Sequence, residues 1–166
     1  GLINRGMFPV FCASGEKNMG VKRLLEFAIN VLPSPNKMAE EVTTDGKKIQ
    51  TKEDGPTALF VFKSATESHI GEINYFKVVS GKVTEGMDLT NNNTGAKERL
   101  SQLYVVAGKN RQKVAQLSAG DIGAAVKLKN TGTNHTLSDG KTDLKFPAIS
   151  FPNPKFRTAI KAVSES

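Results

Sequence analysis

Two neighbouring runs, TALFVFKSA at 57–65 and INYFKVVSG at 73–81, decide how this chain folds. Both are rich in β-branched and aromatic residues, and neither places its apolar residues at helical spacing. The same pattern continues downstream in KVTEGMDLTN (82–91), ERLSQLYVVAG (98–108), DIGAAVKL (121–128) and LKFPAISF (144–151). Turn-forming stretches such as SGK, NNNTG, AGD and NTGTN separate these runs, because glycine and asparagine accept the backbone angles that tight turns need. Short strands at close intervals with no long helix predict an antiparallel barrel or sandwich over residues 56–150. Leu59, Val61, Val78, Leu89, Leu103, Val105, Ile122, Ala124 and Val126 are the expected interior.

The chain upstream of Pro56 reads differently. Met7 to Ala13, MFPVFCA, is a short apolar run that predicts a strand. After SGE, the residues Val21, Leu24, Leu25, Ala28, Ile29 and Leu32 recur at helical spacing. Pro33 and Pro35 then end the helix, since proline offers no backbone donor and restricts the residue before it. Residues 1–35 thus resemble the last strand and helix of an α/β domain, with the rest of that domain expected outside this sequence. Residues 36–55 are polar and charged and predict a linker or exposed loop, more mobile than its flanks, in which Val42 and Ile49 pack locally. From Phe151 the chain reads FPNPKFRTAIKAVSES, a proline-marked exit (151–166) with one further strand-like piece.

Composition narrows the classes of function. A chain of 166 residues can bury a core and form one or two domains. No apolar run approaches the roughly 20 residues of a membrane span. The opening GLINRGMFPV has neither the apolar core nor the cleavage pattern of a signal peptide, so a cytoplasmic location is expected. The single cysteine, Cys12, excludes an intramolecular disulfide and reads as a small buried hydrophobe on a strand rather than a nucleophile. The net charge of +7 is unevenly spread: residues 1–55 carry 8 Lys/Arg against 7 Asp/Glu, and residues 56–166 carry 15 against 9. A polyanionic partner would therefore meet the second segment.

Three stretches resemble catalytic motifs without being them. Gly140-Lys141-Thr142 has the end of a phosphate-binding loop, but His135 stands where that loop needs its first glycine. TKED at 51–54 resembles a guanine-reading tetrapeptide but follows FCASGEKNMG, the reverse of the order in GTPases. His69 and His135 are the only histidines and have no carboxylate pair at metal-ligand spacing, so both read as exposed loop or strand-end residues. No catalytic constellation and no metal site emerge from the sequence.

Two sets of residues point to one family. FPVFCASGEKNMGVKRLLEFAINVLPSP resembles the end of the GTPase domain of elongation factor G. Its landmarks are a strand, a guanine-binding loop, a KNxG turn and a helix finishing in LPSP. ALFVFK, IGEINYFKVVSG, GKVTEGMDL, KERLSQLY, AGDIGAAVKLKNT and HTL resemble, in order, that family's β-barrel domain II, and FPNPKF resembles the lead into its third domain. The resemblance implies a mainly β chain: a translation-factor barrel at 56–150, preceded by a terminal strand-helix piece of an α/β GTPase domain at 1–35.

It also implies that Ser14 and Gly15 lie on the loop whose backbone approaches guanine, where the family has alanine after the serine. GTP or GDP would then belong to a longer parent, a GTPase of translation elongation, and this chain alone would neither hydrolyse nor bind nucleotide. In the family the barrel faces ribosomal RNA. Lys97 and Arg99 at one strand start, with Lys109, Arg111 and Lys113 around a glycine turn, are the candidate phosphate contacts. The implied partners are the small-subunit ribosomal RNA, the remaining GTPase domain and the third domain, with no membrane. A ribosome-protection factor that displaces tetracycline, a paralogue with altered GTPase activity and a protein-binding barrel adaptor stay open as alternatives.

Overall fold

The computed structural model describes residue 2, residues 6–67 and residues 70–161, and the histidine expected at position 69 lies outside them. Helix α1 (Val21–Val31) forms where the periodicity places it and ends at Leu32, whose extended backbone leads into Pro33. None of its residues is buried, and Leu25 and Ile29 of its apolar stripe are exposed. The expected strand at 7–13 does not form: beyond one bridge between Ser14 and Met19 the segment is irregular, and Cys12 is exposed rather than buried. A strand needs a neighbour to complete its hydrogen bonds, and none lies alongside it among the described residues.

Residues 36–55 contain secondary structure that their polar composition does not announce. A 3-10 turn at Pro35–Lys37 precedes a hairpin of β1 (Glu41–Val42) and β2 (Lys48–Ile49). The hairpin docks on the barrel through Ile49, through the Thr44 amide bonded to the Lys145 carbonyl at 2.8 Å, and through a Glu41–Lys77 ion pair at 2.8 Å.

The barrel follows. Its strands are β3 (Ala58–Glu67), β4 (Gly71–Ser80), β5 (Lys82–Thr84), β6 (Asp88–Asn91), β7 (Lys97–Arg99) and β8 (Leu103–Ala107). They continue with β9 (Asn110–Val114), β10 (Gln116–Ser118), β11 (Ile122–Val126) and β12 (Thr136–Ser138). Eight strands make one antiparallel sheet in the order β7-β6-β12-β3-β4-β11-β8-β9, and β5 pairs with β10 in a separate ribbon. Register shifts in the β3–β4 pair at Ala58/Leu59 and Val61/Lys63 tighten the twist and curl the sheet. Curling brings its ends over a common core, since Leu100 after β7 and Leu103 of β8 are both fully buried in one cluster with Phe76, Val78 and Leu137. Val83 and Leu117 of the ribbon close over this core. Bonds from Ala119 N to Gly81 O (3.0 Å) and Gly120 N to Val78 O (2.8 Å) fasten the ribbon to the end of β4.

Five of the expected interior residues, Leu59, Val61, Val78, Leu89 and Leu103, lie in this core. The other four do not. On β11 the inward positions are Gly123 and Ala125, one residue out of step with the expectation. Ala124 and Val126 are buried instead in a cluster on the outer face with Ile73, and Ile122 is 60% exposed. Space decides this: a Cβ on Gly123 would lie 2.2 Å from Leu117 Cδ1 and 3.3 Å from Phe76 Cζ, so no larger residue fits inside there. Val105 is 39% exposed because β11 pairs with β8 only at Leu103 and Tyr104, and from Val105 onward β8 and β9 run on as a two-stranded ribbon.

LKFPAISF forms no strand, although Leu144 and Phe146 are buried beneath the docked hairpin. The exit segment is exposed and without strand through residue 161. No described helix is long and apolar enough to cross a membrane.

Candidate nucleic-acid interface

The loop Ser14–Met19 is closed by its own backbone. Ser14 N donates to Met19 O and Met19 N to Ser14 O, both at 2.9 Å, and the Lys17 amide donates to Ser14 Oγ at 3.3 Å. Gly20, which opens α1, has φ 75° and a position where a Cβ would sit 2.9 Å from the Cys12 carbonyl oxygen, so only glycine serves. Gly15 faces open space, and an alanine there would meet nothing within 4 Å. The loop therefore presents an accessible main chain at Gly15.

Four of the five basic candidates fall on two strands at opposite ends of the sheet order, and the fifth lies in the turn before one of them. Lys97 and Arg99 share the outer face of β7, because Glu98 between them points inward. Lys109 sits exposed in the β8–β9 turn, and Arg111 and Lys113 share one face of β9. Three of the five are charge-compensated. Arg99 pairs with Asp88 at 3.4 Å, Arg111 with Glu67, and Lys113 with Glu85 at 2.7 Å. The hydrogen bond from Lys113 to Glu85 also raises the lysine pKa above its ordinary value. Lys97 and Lys109 have no ion pair among the described residues.

Two further cations, Lys127 and Lys129, were not singled out from sequence. Both are exposed on either side of the buried Leu128, and the alternation in KLK was the available signal. Glu98 brings their loop to β7. Glu98 is 5% exposed, and its carboxylate accepts from the Lys129 amide (3.1 Å), the Asn130 amide (2.5 Å) and the Thr131 hydroxyl (3.0 Å). Asn91, fully buried, donates to the Asn130 carbonyl at 2.9 Å and braces the same loop. His135 completes the brace, half-buried rather than exposed as expected from sequence. Its Nδ1 accepts from the Gly132 amide at 3.1 Å, so the neutral ring carries its proton on Nε2.

The outer apolar cluster lies beside this loop. Ile73, Ala124 and Val126 form its floor, and Tyr75, Tyr104 and Val106 pack against it. Lys63 stands over the Tyr75 ring at 5.5 Å, and the Tyr75 hydroxyl donates to Glu67 at 3.1 Å. Burial first, and that bond to Glu67 second, raise the Tyr75 hydroxyl above the ordinary phenol range. Such an arrangement, cations around half-buried aromatic rings, suits binding to a polyanion.

Residues 56–140 match the family described as Elongation factor G domain 2. Elongation factor G 1 of Bdellovibrio bacteriovorus is 36% identical over 172 residues, which cover 100% of this chain and 24% of that protein. Elongation factor G of Mycoplasma pneumoniae is 35% identical over 97% of this chain and 24% of its own length. A crystal structure of a Thermus thermophilus protein superposes with a TM-score of 0.66 at 28% identity, covering 90% of this chain and 22% of that one. The chain thus spans about a quarter of the curated relatives it matches.

Proposed function

Because this chain belongs to the elongation factor G family, we propose that it is part of a ribosomal translocation factor whose barrel docks on small-subunit ribosomal RNA. In this reading the barrel relays nucleotide state between the GTPase domain and the rest of the factor, in the cytoplasm. One observation carries the docking face: the buried Glu98 fastens the Lys127–Lys129 loop to the strand bearing Lys97. Three cations without ion pairs among the described residues then lie on two segments joined through one carboxylate. Charges already matched by carboxylates, such as Arg111 and Lys113, release fewer counterions on meeting phosphate than unpaired ones.

The Ser14–Gly15 loop supplies one edge of the guanine site. The phosphate contacts and the hydrolytic groups come from parts of the factor outside this chain. Binding of the chain to purified small ribosomal subunits, measured across a salt series, tests the docking face. Lys97→Glu with Lys129→Glu should weaken binding and flatten the log-log slope by roughly 0.7 to 0.9 for each phosphate no longer neutralised. Equal affinity and slope in the reversed variant would remove this face from consideration.

A further inference from the structure

We propose that the outer cleft between β8, β9 and the end of β11 receives one unpaired nucleotide of RNA, with its base against Tyr104 and its phosphate met by Lys127. The inference rests on the RNA-docking reading above and gives that docking a chemical mode.

The cleft encloses about 270 Å³, room for a single planar base, and is lined by Ile70, Gln102, Tyr104, Arg111, Val126 and Lys127. Its floor is unusual for its position. The outside of an antiparallel sheet ordinarily shows polar residues to water, yet Val126, Ile73 and Tyr104 gather here into an apolar cluster.

The ring is held in place before any ligand arrives. The Tyr104 hydroxyl donates to Gln102 Oε1 at 2.7 Å, which leaves the Gln102 amide hydrogens free to meet an acceptor on a base edge. Arg111, which also lines the cleft, is held by its ion pair with Glu67. Lys127 is exposed at the rim, has no ion pair among the described residues, and follows directly on the buried Val126.

Charge and shape together select the ligand. A flat apolar ring beside a cation complements a base whose phosphate is one sugar away, and stacking of this kind tolerates any base. A duplex keeps its bases paired inside and cannot place one in the cleft. An acidic peptide would satisfy Lys127 but leave the tyrosine face uncovered.

The test measures affinity of the chain for a short single-stranded oligoadenylate, an abasic ribose-phosphate strand of equal length, and a blunt RNA duplex. Wild-type protein should prefer oligoadenylate to the abasic strand, and Tyr104→Leu should remove roughly tenfold of the single-strand affinity while leaving duplex binding unchanged. Tyr104→Phe, which keeps the ring, should stay close to wild type. The test stays decisive if the leucine variant unfolds, because the comparison of the two strands on wild-type protein needs no variant. Equal binding of abasic and base-bearing strands, or a folded Tyr104→Leu variant with unchanged single-strand affinity, overturns the proposal. If the lysine reversals weaken small-subunit binding while Tyr104→Leu changes nothing, the docking face stands and the nucleotide cleft falls. If wild-type protein binds neither RNA strand nor subunit, both fall.

Discussion

Replacing Glu98 by glutamine keeps its shape and removes its charge, which isolates the role of the carboxylate that fastens the basic loop. Glu98 Oε1 accepts from the Asn130 amide and the Thr131 hydroxyl, and Oε2 accepts from the Lys129 amide. With its oxygen in the Oε1 position, glutamine turns its amide group toward the Lys129 N–H and strands that donor, at a cost of about 1–3 kcal/mol. The two remaining bonds pass from a charged to a neutral acceptor and lose about half their strength. Relief from burying a charge works the other way, so the net loss should be about 2 kcal/mol. For a chain of this length that corresponds to a melting temperature lowered by roughly 4–8 °C. Urea unfolding gives the free energy, and amide exchange at Lys129 and Asn130 shows whether the loop has loosened. A variant within about 0.5 kcal/mol of wild type, the range of an ordinary surface change, with both amides still protected, would refute the tether.

Further outcomes follow from the core and from the docked hairpin. Gly123→Ala forces the new methyl against Leu117 and should destabilise the barrel by about 1–3 kcal/mol, whereas Ile122→Thr, on the exposed neighbour, should change it by less than about 0.5 kcal/mol; chemical denaturation of both variants checks the register of β11. The hydrogen bond from Lys47, and then that from Thr43, lower the Asp45 carboxyl from 3.8 to about 2. A depressed carboxylate contributes its stability above the unfolded value, so the hairpin tip should hold above about pH 4 and loosen as pH falls toward about 2. Amide exchange at Gly46 should show that change, Asp45→Asn should abolish it, and a flat profile in wild type over that window would contradict it.

The barrel was legible because each strand carries its own local signal, a β-branched or aromatic run closed by a glycine or asparagine turn. The register of β11 was not. In IGAAV every residue is small or apolar, so period-2 alternation cannot distinguish the two faces; the bulk of Phe76 and Leu117, brought there from other strands, decides which residues turn inward. β9 escaped notice for the opposite reason. NRQKV has one apolar residue in five, and its pairing with β8 rather than its own composition makes it a strand. Docking likewise orders the polar hairpin at 41–49, through the Lys77 and Lys145 contacts. Of the site, the charges were visible but their partners were not. Glu67, Glu85 and Asp88 lie 44, 28 and 11 positions from the cations they compensate. Glu98 reaches a loop more than 30 residues away.

The docking of the barrel's basic face on ribosomal RNA can be tested by proximity. In a Cys12→Ser background, a single cysteine is placed at position 129 in the basic loop, or at position 44 in the docked hairpin, and tethered to an iron chelate that generates hydroxyl radicals. With purified small ribosomal subunits, the probe at 129 should cut the ribosomal RNA at a confined set of nucleotides, and added salt should suppress the cuts. The probe at 44 should cut weakly or elsewhere. Equal cleavage from both positions, or none from 129 under conditions where the chain co-sediments with the subunit, would contradict the proposed face.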